Sequence, residues 1–387
     1  MDNKFFNNKG RDRFMTVVNF SRAGRLLAGF FLCAASVGAS ADIILGHSGD
    51  LSGTSAALTT DYVRGMNAYF DDVNKKGGIR GEKIKLVSMD DGFNPDKTAD
   101  NTKALIEQNA VALVGFRGTA NMLKIVPIVQ GAGIAQIGNT SGAKSLRDPF
   151  VPNLFHVRAS TSDEIEAAVN HAWTIGINKI GVAYQDDAFG KEGLEALNAA
   201  MQKRGAAPVA VAPVPRGTVD VAKAVDLIAA AQPQAVILIA QAKPNAAFVR
   251  AYKAKGASAQ FMVLSVSSGL HAELKEPAAG VIVSQVVPYP FTELGNAAVK
   301  EYQTVISGTA DKKFSYNSME GFLNAKLVVR ALQKTPAPIT RAKLISTLEG
   351  FTSEDLGGYA ITYSKQSNLG SRFVNLTMIR ADGTFAR

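Results

Sequence analysis

The stretch DIILGHSGDLSGTSAALTTDYVRGMNAYFDDVNKKGGIRGEKIKLVSMDD, residues 42–91, predicts a complete β-α-β unit. The short apolar run Ile43–Gly46 is typical of a buried strand, and the glycines that follow among Ser and Thr indicate a loop. Apolar residues three and four apart from Tyr62 to Val73 predict one apolar helix face. A second strand, Ile84–Met89, completes the unit. In such a parallel crossover the first loop lies at the carboxyl edge of a sheet, where open α/β folds bind ligands.

Four features of this stretch resemble the bacterial leucine/isoleucine/valine-binding protein family, the type I periplasmic solute-binding proteins of ABC transporters. They are Ser52-Gly53, Arg64-Gly65, the turn at 74–81 and Asp90-Asp91. The resemblance continues at matching spacing over nearly all of 42–387. It implies an α/β fold in which two doubly wound parallel-sheet lobes, joined by three hinge strands, close on a ligand.

The length of the chain also favours two lobes, because 387 residues exceed what one compact core usually holds. Strand and helix patterns alternate along the chain, which predicts parallel sheets with helices on both faces. The resemblance implies that lobe 1 comprises 42–158 plus 289–363, and that lobe 2 comprises 159–288 plus 364–387. Composition alone would instead place a single boundary near residue 160.

Residues 1–41 are predicted to be a cleavable signal peptide, so we expect the mature protein in the periplasm. The segment begins with basic residues, and its apolar run Leu26–Cys33 is too short to span a bilayer. Ala39-Ser40-Ala41 then forms a small-residue cleavage site. A retained anchor is the alternative interpretation, and translation can begin at Met1 or Met15. Cys33 is the only cysteine, so no disulfide is expected in the mature chain.

Charge and motifs exclude several function classes. The formal net charge is +9, but residues 1–41 carry six Lys/Arg and two Asp, which leaves 36 basic and 31 acidic residues in the rest. This mild balance is not gathered into a patch, so no nucleic-acid partner is expected. The four histidines lack ligand spacing, and no nucleophile elbow or phosphate loop is present. We therefore expect neither an enzyme nor a bound metal or cofactor.

The loops that follow the strands of lobe 1 are expected to bind an anion. Free N–H groups and the helix dipole at helix N-termini favour a carboxylate. Arg117 in one such loop either pairs with an anionic ligand or points into solvent. The resemblance places Thr119 where the family grips a carboxylate, although Thr119 also suits a helix N-cap. Gly142 falls where the family often has a second hydroxyl, so Thr140 and Ser141 just before it are the candidates.

Lobe 2 departs from the family pattern at two positions. Phe189 stands where the family commonly has Tyr, and Ser265 stands where it has the Glu that neutralises the ammonium of an amino acid. An unpaired buried ammonium is costly. Either Asp186 or Asp187 therefore reaches the cleft, or the ligand lacks a cationic nitrogen. A local misalignment around residues 265–268 is a third explanation.

Two apolar side chains complete the predicted site. By resemblance, Leu58 replaces an aromatic residue that covers the ligand from lobe 1, and Phe314 matches a hydrophobic wall of the cleft. Either residue suits an ordinary core position equally well.

These observations predict a periplasmic substrate-binding protein of an ABC importer. We expect it to capture a small amino acid or related carboxylate between its lobes and to deliver it to a permease in the inner membrane. One alternative is a ligand without an amine, such as an aromatic or branched organic acid. Another is a sensory module that reports to a membrane receptor, because the same fold serves both roles.

Overall fold

Two sheets with the same strand order organise the chain. The computed structural model describes residues 42–53, 55–275, 278–292 and 295–387, so the predicted signal peptide lies outside the described residues. The first sheet is built from the segment β1 (Ile43–Gly49), α1 (Ala56–Lys75), β2 (Ile84–Asp90), α2 (Pro95–Glu107), β3 (Ala112–Val114), α3 (Thr119–Gly131), β4 (Ala135–Ile137) and β5 (Leu154–Phe155). Its order is β2-β1-β3-β4-β5, and all its strand pairs are parallel.

The second sheet repeats this order. Its segment comprises α4 (Thr161–Thr174), β6 (Ile180–Asp186), α5 (Ala188–Gln202), β7 (Ala210–Pro215), α6 (Ala222–Ala230), β8 (Ala235–Ile239), α7 (Ala242–Ala254), β9 (Gln260–Val263), α8 (Leu270–Leu274) and β10 (Ile282–Gln285). The parallel part of the sheet runs β7-β6-β8-β9-β10. Each sheet thus reverses its strand order beside its first strand, which is where doubly wound folds place ligands.

The remaining chain returns to the first lobe and then ends in the second. It forms α9 (Ala297–Ser307), α10 (Tyr316–Lys334), α11 (Arg341–Glu349), β11 (Glu354–Asp355), β12 (Ala360–Ile361), β13 (Asn375–Ile379) and β14 (Phe385–Ala386). Helix α10 packs along α1, whereas β13 and β14 extend the second sheet as antiparallel strands. Strands β11 and β12 pair with each other as a separate antiparallel sheet. The parallel arrangement predicted from alternation therefore holds for the strands joined by crossover helices, but not for β11 to β14.

Glycines allow α1 and α10 to pack closely. A Cβ atom at Gly65 would lie 1.9 Å from the carbonyl oxygen of Ser318, and one at Gly321 would lie 2.0 Å from that of Tyr62. The two backbones therefore touch at positions where any side chain would collide. This contact anchors the returning C-terminal segment to the first β-α-β unit.

Tyrosines of the C-terminal segment tie the crossing strands together. The hydroxyl of Tyr359 lies 3.0 Å from the carbonyl oxygens of both Val157 and Val286, and Tyr363 donates to the carbonyl of His156 at 2.7 Å. These hydrogen bonds lie where the chain leaves the first sheet after Phe155, leaves the second sheet after Gln285 and approaches the second sheet again before Asn375. The lobe boundaries predicted from the sequence, at 158, 288 and 363, remain predictions.

Within the described parts of the chain, no helix is both long and apolar enough to cross a bilayer. The same residues contain no group of three or more side chains of the metal-binding types placed to hold an ion.

Candidate binding site between the lobes

A small cavity lies in the seam where the carboxyl edges of the two sheets meet. Its volume is about 20 Å³, and both lobes contribute to its wall. The lining residues are Phe93, Arg117, Gly118, Thr119, Thr140, Ser141, Phe189, Gln241 and Val266. Five of the eight residues predicted from the sequence, namely Arg117, Thr119, Thr140, Ser141 and Phe189, are therefore brought together here.

Three helices begin at this cavity. Gly118 is the N-cap of α3, Gln241 is the N-cap of α7, and Phe189 is the second residue of α5. Gly118 and Gln241 offer no side-chain cap, so the first N–H groups of these helices are not satisfied that way. Converging helix N-termini favour negative charge in the space they enclose.

The predicted N-cap of α3 is wrong by one residue. Gly118 adopts a left-handed backbone with φ +89 and takes the N-cap position, so Thr119 becomes the first helical residue. A Cβ atom at Gly118 would lie 2.8 Å from the ring of Phe93, so glycine also permits this ring to pack over the loop. The Thr119 hydroxyl is therefore not used to cap α3, and it lies instead at the cavity beside the Ser141 hydroxyl.

Arg117 is a buried cation whose Nε and Nη2 atoms make no hydrogen bond. Only 4% of the residue is exposed. Burial lowers its pKa to about 10, while the charge of Glu320 partly opposes this effect, so the guanidinium remains charged at pH 7. Buried charges in proteins are normally paired, because an isolated one is strongly disfavoured. An unpartnered guanidinium at a cavity wall therefore indicates a site for an anion.

Hydroxyl groups surround the same space. The Thr119 and Ser141 hydroxyl oxygens lie 2.8 Å apart, and the buried Thr140 hydroxyl has no hydrogen-bond partner. A carboxylate accepts several hydrogen bonds at once, and those from charged donors are the strongest. Arg117 with these three hydroxyls is thus a donor set suited to one carboxylate group.

Ser265 does not line this cavity, and its polar atoms already have partners. Its backbone N–H donates to Glu164 Oε2 at 2.8 Å, and its hydroxyl accepts a hydrogen bond from Arg158. Arg158 also pairs with Glu164 at 2.8 Å and with Glu320 at 3.4 Å. Burial alone would lower the pKa of Arg158, but Glu320 and Glu164 raise it. The neighbouring Val266 faces the cavity instead.

Neither of the two aspartates considered as ammonium partners reaches the cavity. Asp186 pairs with Lys191 at 2.9 Å. Asp187 caps α5 by accepting from the N–H of Gly190, and it pairs with Arg216 at 3.3 Å. Among the described residues that line the cavity, none is acidic. The arrangement therefore offers a partner for a carboxylate but no carboxylate for an ammonium.

Leu58 and Phe314 lie on a second, larger cavity of about 750 Å³ between the lobes. Leu58 is buried on α1, and Phe314 is partly buried and packs against Tyr302 with 5.8 Å between ring centroids. The two residues predicted to cover the ligand thus lie outside the space that Arg117 borders.

Phe93, Gln241 and Val266 border the cavity but were not among the predicted site residues. Phe93 follows β2, Gln241 follows β8, and Val266 follows β9. The rule that ligands bind beyond the carboxyl ends of parallel strands marks all three loops. This rule does not predict which side chains of each loop point into the cavity.

The profile of the periplasmic binding protein family matches residues 42–384. This chain belongs to the periplasmic binding protein family. The predicted resemblance to leucine/isoleucine/valine-binding proteins and the predicted fold class are therefore confirmed. The family consists of binding proteins and not of enzymes.

Several relatives of this periplasmic binding protein are known. The crystal structure of a substrate-binding periplasmic protein from Ralstonia solanacearum is 32% identical, with a TM-score of 0.83 over 89% of this chain and 99% of the other. Leu/Ile/Val-binding protein homolog 7 of Brucella melitensis is 23% identical over 91% of this chain and 92% of its own. An amino acid binding protein of Pseudomonas aeruginosa is 27% identical over 59% of this chain, and the match covers 61% of that protein's length.

Proposed function

We propose that this periplasmic binding protein captures a small carboxylate without an ammonium group and delivers it to an ABC permease in the inner membrane. The unpartnered buried guanidinium of Arg117 is the observation that carries the proposal. A ligand carboxylate would accept from Nε and Nη2, and hydroxyl donors stand beside it. No acidic side chain lines the described part of the cavity, so an α-ammonium would lose its water without gaining a partner.

Closure of the lobes is the proposed basis of capture. Both lobes border the cavity, so a ligand in it touches Arg117 and Thr119 on one side and Phe189 on the other. A ligand shifts a conformational equilibrium only by its difference in affinity for the two states. Contacts with both lobes exist only when the lobes are closed. The closed form is then the one that a permease would recognise.

A small amino acid is the second candidate ligand. It is favoured by the relatives from Pseudomonas aeruginosa and Brucella melitensis, whose names refer to an amino acid or to Leu/Ile/Val. The absence of an acidic side chain at Ser265 argues against an amino acid, since its ammonium group would lack a partner there. The nearby carboxylate of Glu164 cannot replace it, because Glu164 already accepts hydrogen bonds from Arg158 and Ser265.

Matched pairs of compounds separate the two candidates. Calorimetry would compare L-leucine with 4-methylpentanoate, and L-phenylalanine with 3-phenylpropanoate, since each pair differs by the ammonium group. We expect binding of the amine-free acids and at least about a hundredfold weaker binding of the amino acids, because desolvation of an unpaired ammonium costs several kcal/mol. Tighter binding of the amino acids would reject the first proposal in favour of the second.

Two substitutions test whether Arg117 and Thr119 bind the carboxylate group of the ligand. Arg117→Ala and Thr119→Ala should each weaken binding of the preferred acid more than about tenfold, because each removes a hydrogen bond to a charged group. Lys124→Ala is the control, since Lys124 lies on α3 like Thr119 but is exposed and pairs with Asp96 at 2.8 Å. Unchanged affinity in both variants would remove the carboxylate from this cavity.

A further inference from the structure

The second cavity between the lobes has an aromatic wall. The rings of Tyr316 and Phe385 are 5.2 Å apart, and Phe291 lies 5.8 Å from Tyr316 and 6.0 Å from Phe385. Tyr316 belongs to lobe 1, whereas Phe385 belongs to the last strand of the second sheet. The volume of this cavity, which we call the aromatic cavity, is about 750 Å³ and falls in the range of small-molecule sites, roughly 300–1,000 Å³.

A thin wall separates the two cavities. Ser55 of the first lobe donates to Gln241 Oε1 at 3.2 Å, and the Leu58 side chain packs on Gly269, where a Cβ atom would lie 2.9 Å from Leu58 Cδ2. The chain borders one cavity at Gln241 and the other at the adjacent residue, Ala242. Consecutive Cα atoms are about 3.8 Å apart, so the cavities are neighbours. The contact of Leu58 with Gly269 borders the larger cavity, and the hydrogen bond of Ser55 with Gln241 involves a residue that borders the smaller one.

The size of the Arg117 cavity limits what it holds. A volume of about 20 Å³ admits roughly one or two water-sized groups. A carboxylate head is of this size, but the rest of an organic acid is not. The remaining atoms of such a ligand must therefore extend beyond this cavity, and the neighbouring cavity is the one with the aromatic wall.

Three neutral polar atoms of residues that line the aromatic cavity are buried without a well-formed hydrogen bond: the Ser268 hydroxyl, the Nδ1 atom of His271 and the Tyr316 hydroxyl. The Tyr316 hydroxyl lies near Thr377, and the His271 ring lies near the backbone of Ser268, which leaves the Ser268 hydroxyl as the atom with no neighbouring partner. Burial lowers the pKa of His271, so its ring is neutral at pH 7. By contrast, the charged residues at this cavity are paired or reach solvent: Asp61 and Arg64 satisfy each other at 2.7 Å, Asp311, Lys313 and Arg380 are exposed, and Glu273 is partly exposed. The unsatisfied groups thus call for a hydrogen-bonding partner without charge.

We propose that the aromatic cavity holds the body of the same ligand, an apolar segment that ends in an uncharged hydrogen-bonding group such as a hydroxyl, recognised by Ser268 and His271. This inference rests on the proposed function, because it takes the carboxylate at Arg117 as the other end of the molecule. It defines the substrate class as an acid with an apolar middle and a neutral polar end.

The test uses two acids that differ only at the far end, 3-phenylpropanoate and 3-(4-hydroxyphenyl)propanoate. The purified protein should bind the hydroxylated acid at least about tenfold more tightly, the effect of one satisfied buried hydrogen bond. In a variant carrying Ser268→Ala and His271→Ala, this preference should fall below about threefold while the affinity for the unsubstituted acid stays within about threefold. Ser307→Ala, at an exposed position on α9, should change neither value.

The outcomes separate the two proposals. Equal affinity for the two acids, or a preference that survives the double substitution, would overturn the role of the aromatic cavity while leaving the carboxylate site intact. If both acids fail to bind while 4-methylpentanoate binds, the role of the aromatic cavity is overturned; if all three fail to bind, both proposals are overturned. Arg117→Ala distinguishes them further, since it should weaken both acids alike without altering the preference between them.

Discussion

Arg117 is a charged residue that folding buries without an ion-pair partner. Burial lowers the pKa of Arg117, the charge of Glu320 raises it, and the charge of Arg158 lowers it further. A site that keeps such a charge in place for an anion does so at a cost in stability when no anion is bound. The residue thus links binding to the stability of the free protein.

Arg117→Met should raise the free energy of unfolding of the ligand-free protein by about 1 kcal/mol or more, because it removes an unpaired buried charge and keeps the volume. Urea unfolding at pH 7 measures this. Lys103→Met, at an exposed position on α2, should leave stability within about 0.5 kcal/mol. A large loss of stability in Arg117→Met would mean that the guanidinium is structural.

His47 gives the folded protein a sensitivity to acid. It is fully buried in β1, and its Nδ1 atom lies 3.0 Å from the carbonyl oxygen of Val114. Burial lowers its pKa from 6.5 to about 4. Between these values the unfolded chain binds a proton at this residue that the folded chain does not, so stability falls as the pH falls from 6.5 to 4.

His47→Gln should reduce this loss by about 3 kcal/mol between pH 7 and pH 4, since each unit of pKa shift corresponds to about 1.4 kcal/mol. Urea unfolding at several pH values provides the slope. Ser307→Ala, at an exposed position on α9 and without a titratable group, is the control and should keep the wild-type slope. An unchanged slope in His47→Gln would assign the acid sensitivity to other groups.

At the scale of elements, the contact between α1 and α10 determines how the returning C-terminal segment is placed. Both helices present glycine where their backbones meet. The same two helices supply Leu58 and Tyr316 to the aromatic cavity, so their separation also sets the width of one wall. A packing change there therefore affects both stability and the second cavity.

Gly65→Ala should lower the free energy of unfolding by about 3 kcal/mol, the upper range for overpacking, because the added carbon meets rigid backbone. Gly131→Ala, at the open end of α3, is the matched control and should stay within about 1 kcal/mol of wild type. Chemical denaturation of both variants measures the difference. Equal effects would show that α1 and α10 can move apart at little cost.

At the scale of the whole molecule, Arg216 connects the lobes at the edge of the binding cavity. From the end of β7 it donates to the carbonyl of Phe93 at 2.8 Å and to Asn121 Oδ1 at 3.1 Å, both in lobe 1. Its guanidinium lies 4.6 Å from the centre of the Phe93 ring. The Arg216 guanidinium also pairs with the carboxylate of Asp187 in its own lobe, with Nε 3.3 Å from Oδ2. These contacts join the two lobes in this structure, so we expect them to break when the lobes open.

Arg216→Ala should increase the ligand dissociation rate by about tenfold, because it weakens the closed state by roughly one charge-assisted hydrogen bond without touching the ligand. Stopped-flow displacement with the preferred acid measures the rate. Arg204→Ala is the matched control, since Arg204 pairs with Glu166 within lobe 2. If both variants release ligand at the wild-type rate, Arg216 does not hold the lobes together.

Local patterns in the sequence were sufficient to predict most of the fold. The spacing of apolar residues from Tyr62 predicted α1, but the helix begins earlier, at Ala56. The earlier start follows from the loop before it, where the Asp50 carboxylate accepts hydrogen bonds from the N–H groups of Gly53 and Ser55. Alternation of strands and helices predicted both sheets. The antiparallel β13 and β14 escaped this rule, since no crossover helix constrains their direction.

By itself, the sequence determined which loops lie at the carboxyl edges of the sheets, because strand ends and helix starts are properties of neighbouring residues. It could place Arg117, Thr119 and Ser141 at one sheet edge for that reason. Only the tertiary structure decided that Ser265 is held by Arg158 and Glu164 and that Leu58 borders a separate cavity. Those facts depend on side chains that are distant in the chain and meet only when the lobes pack, so no local pattern specifies them.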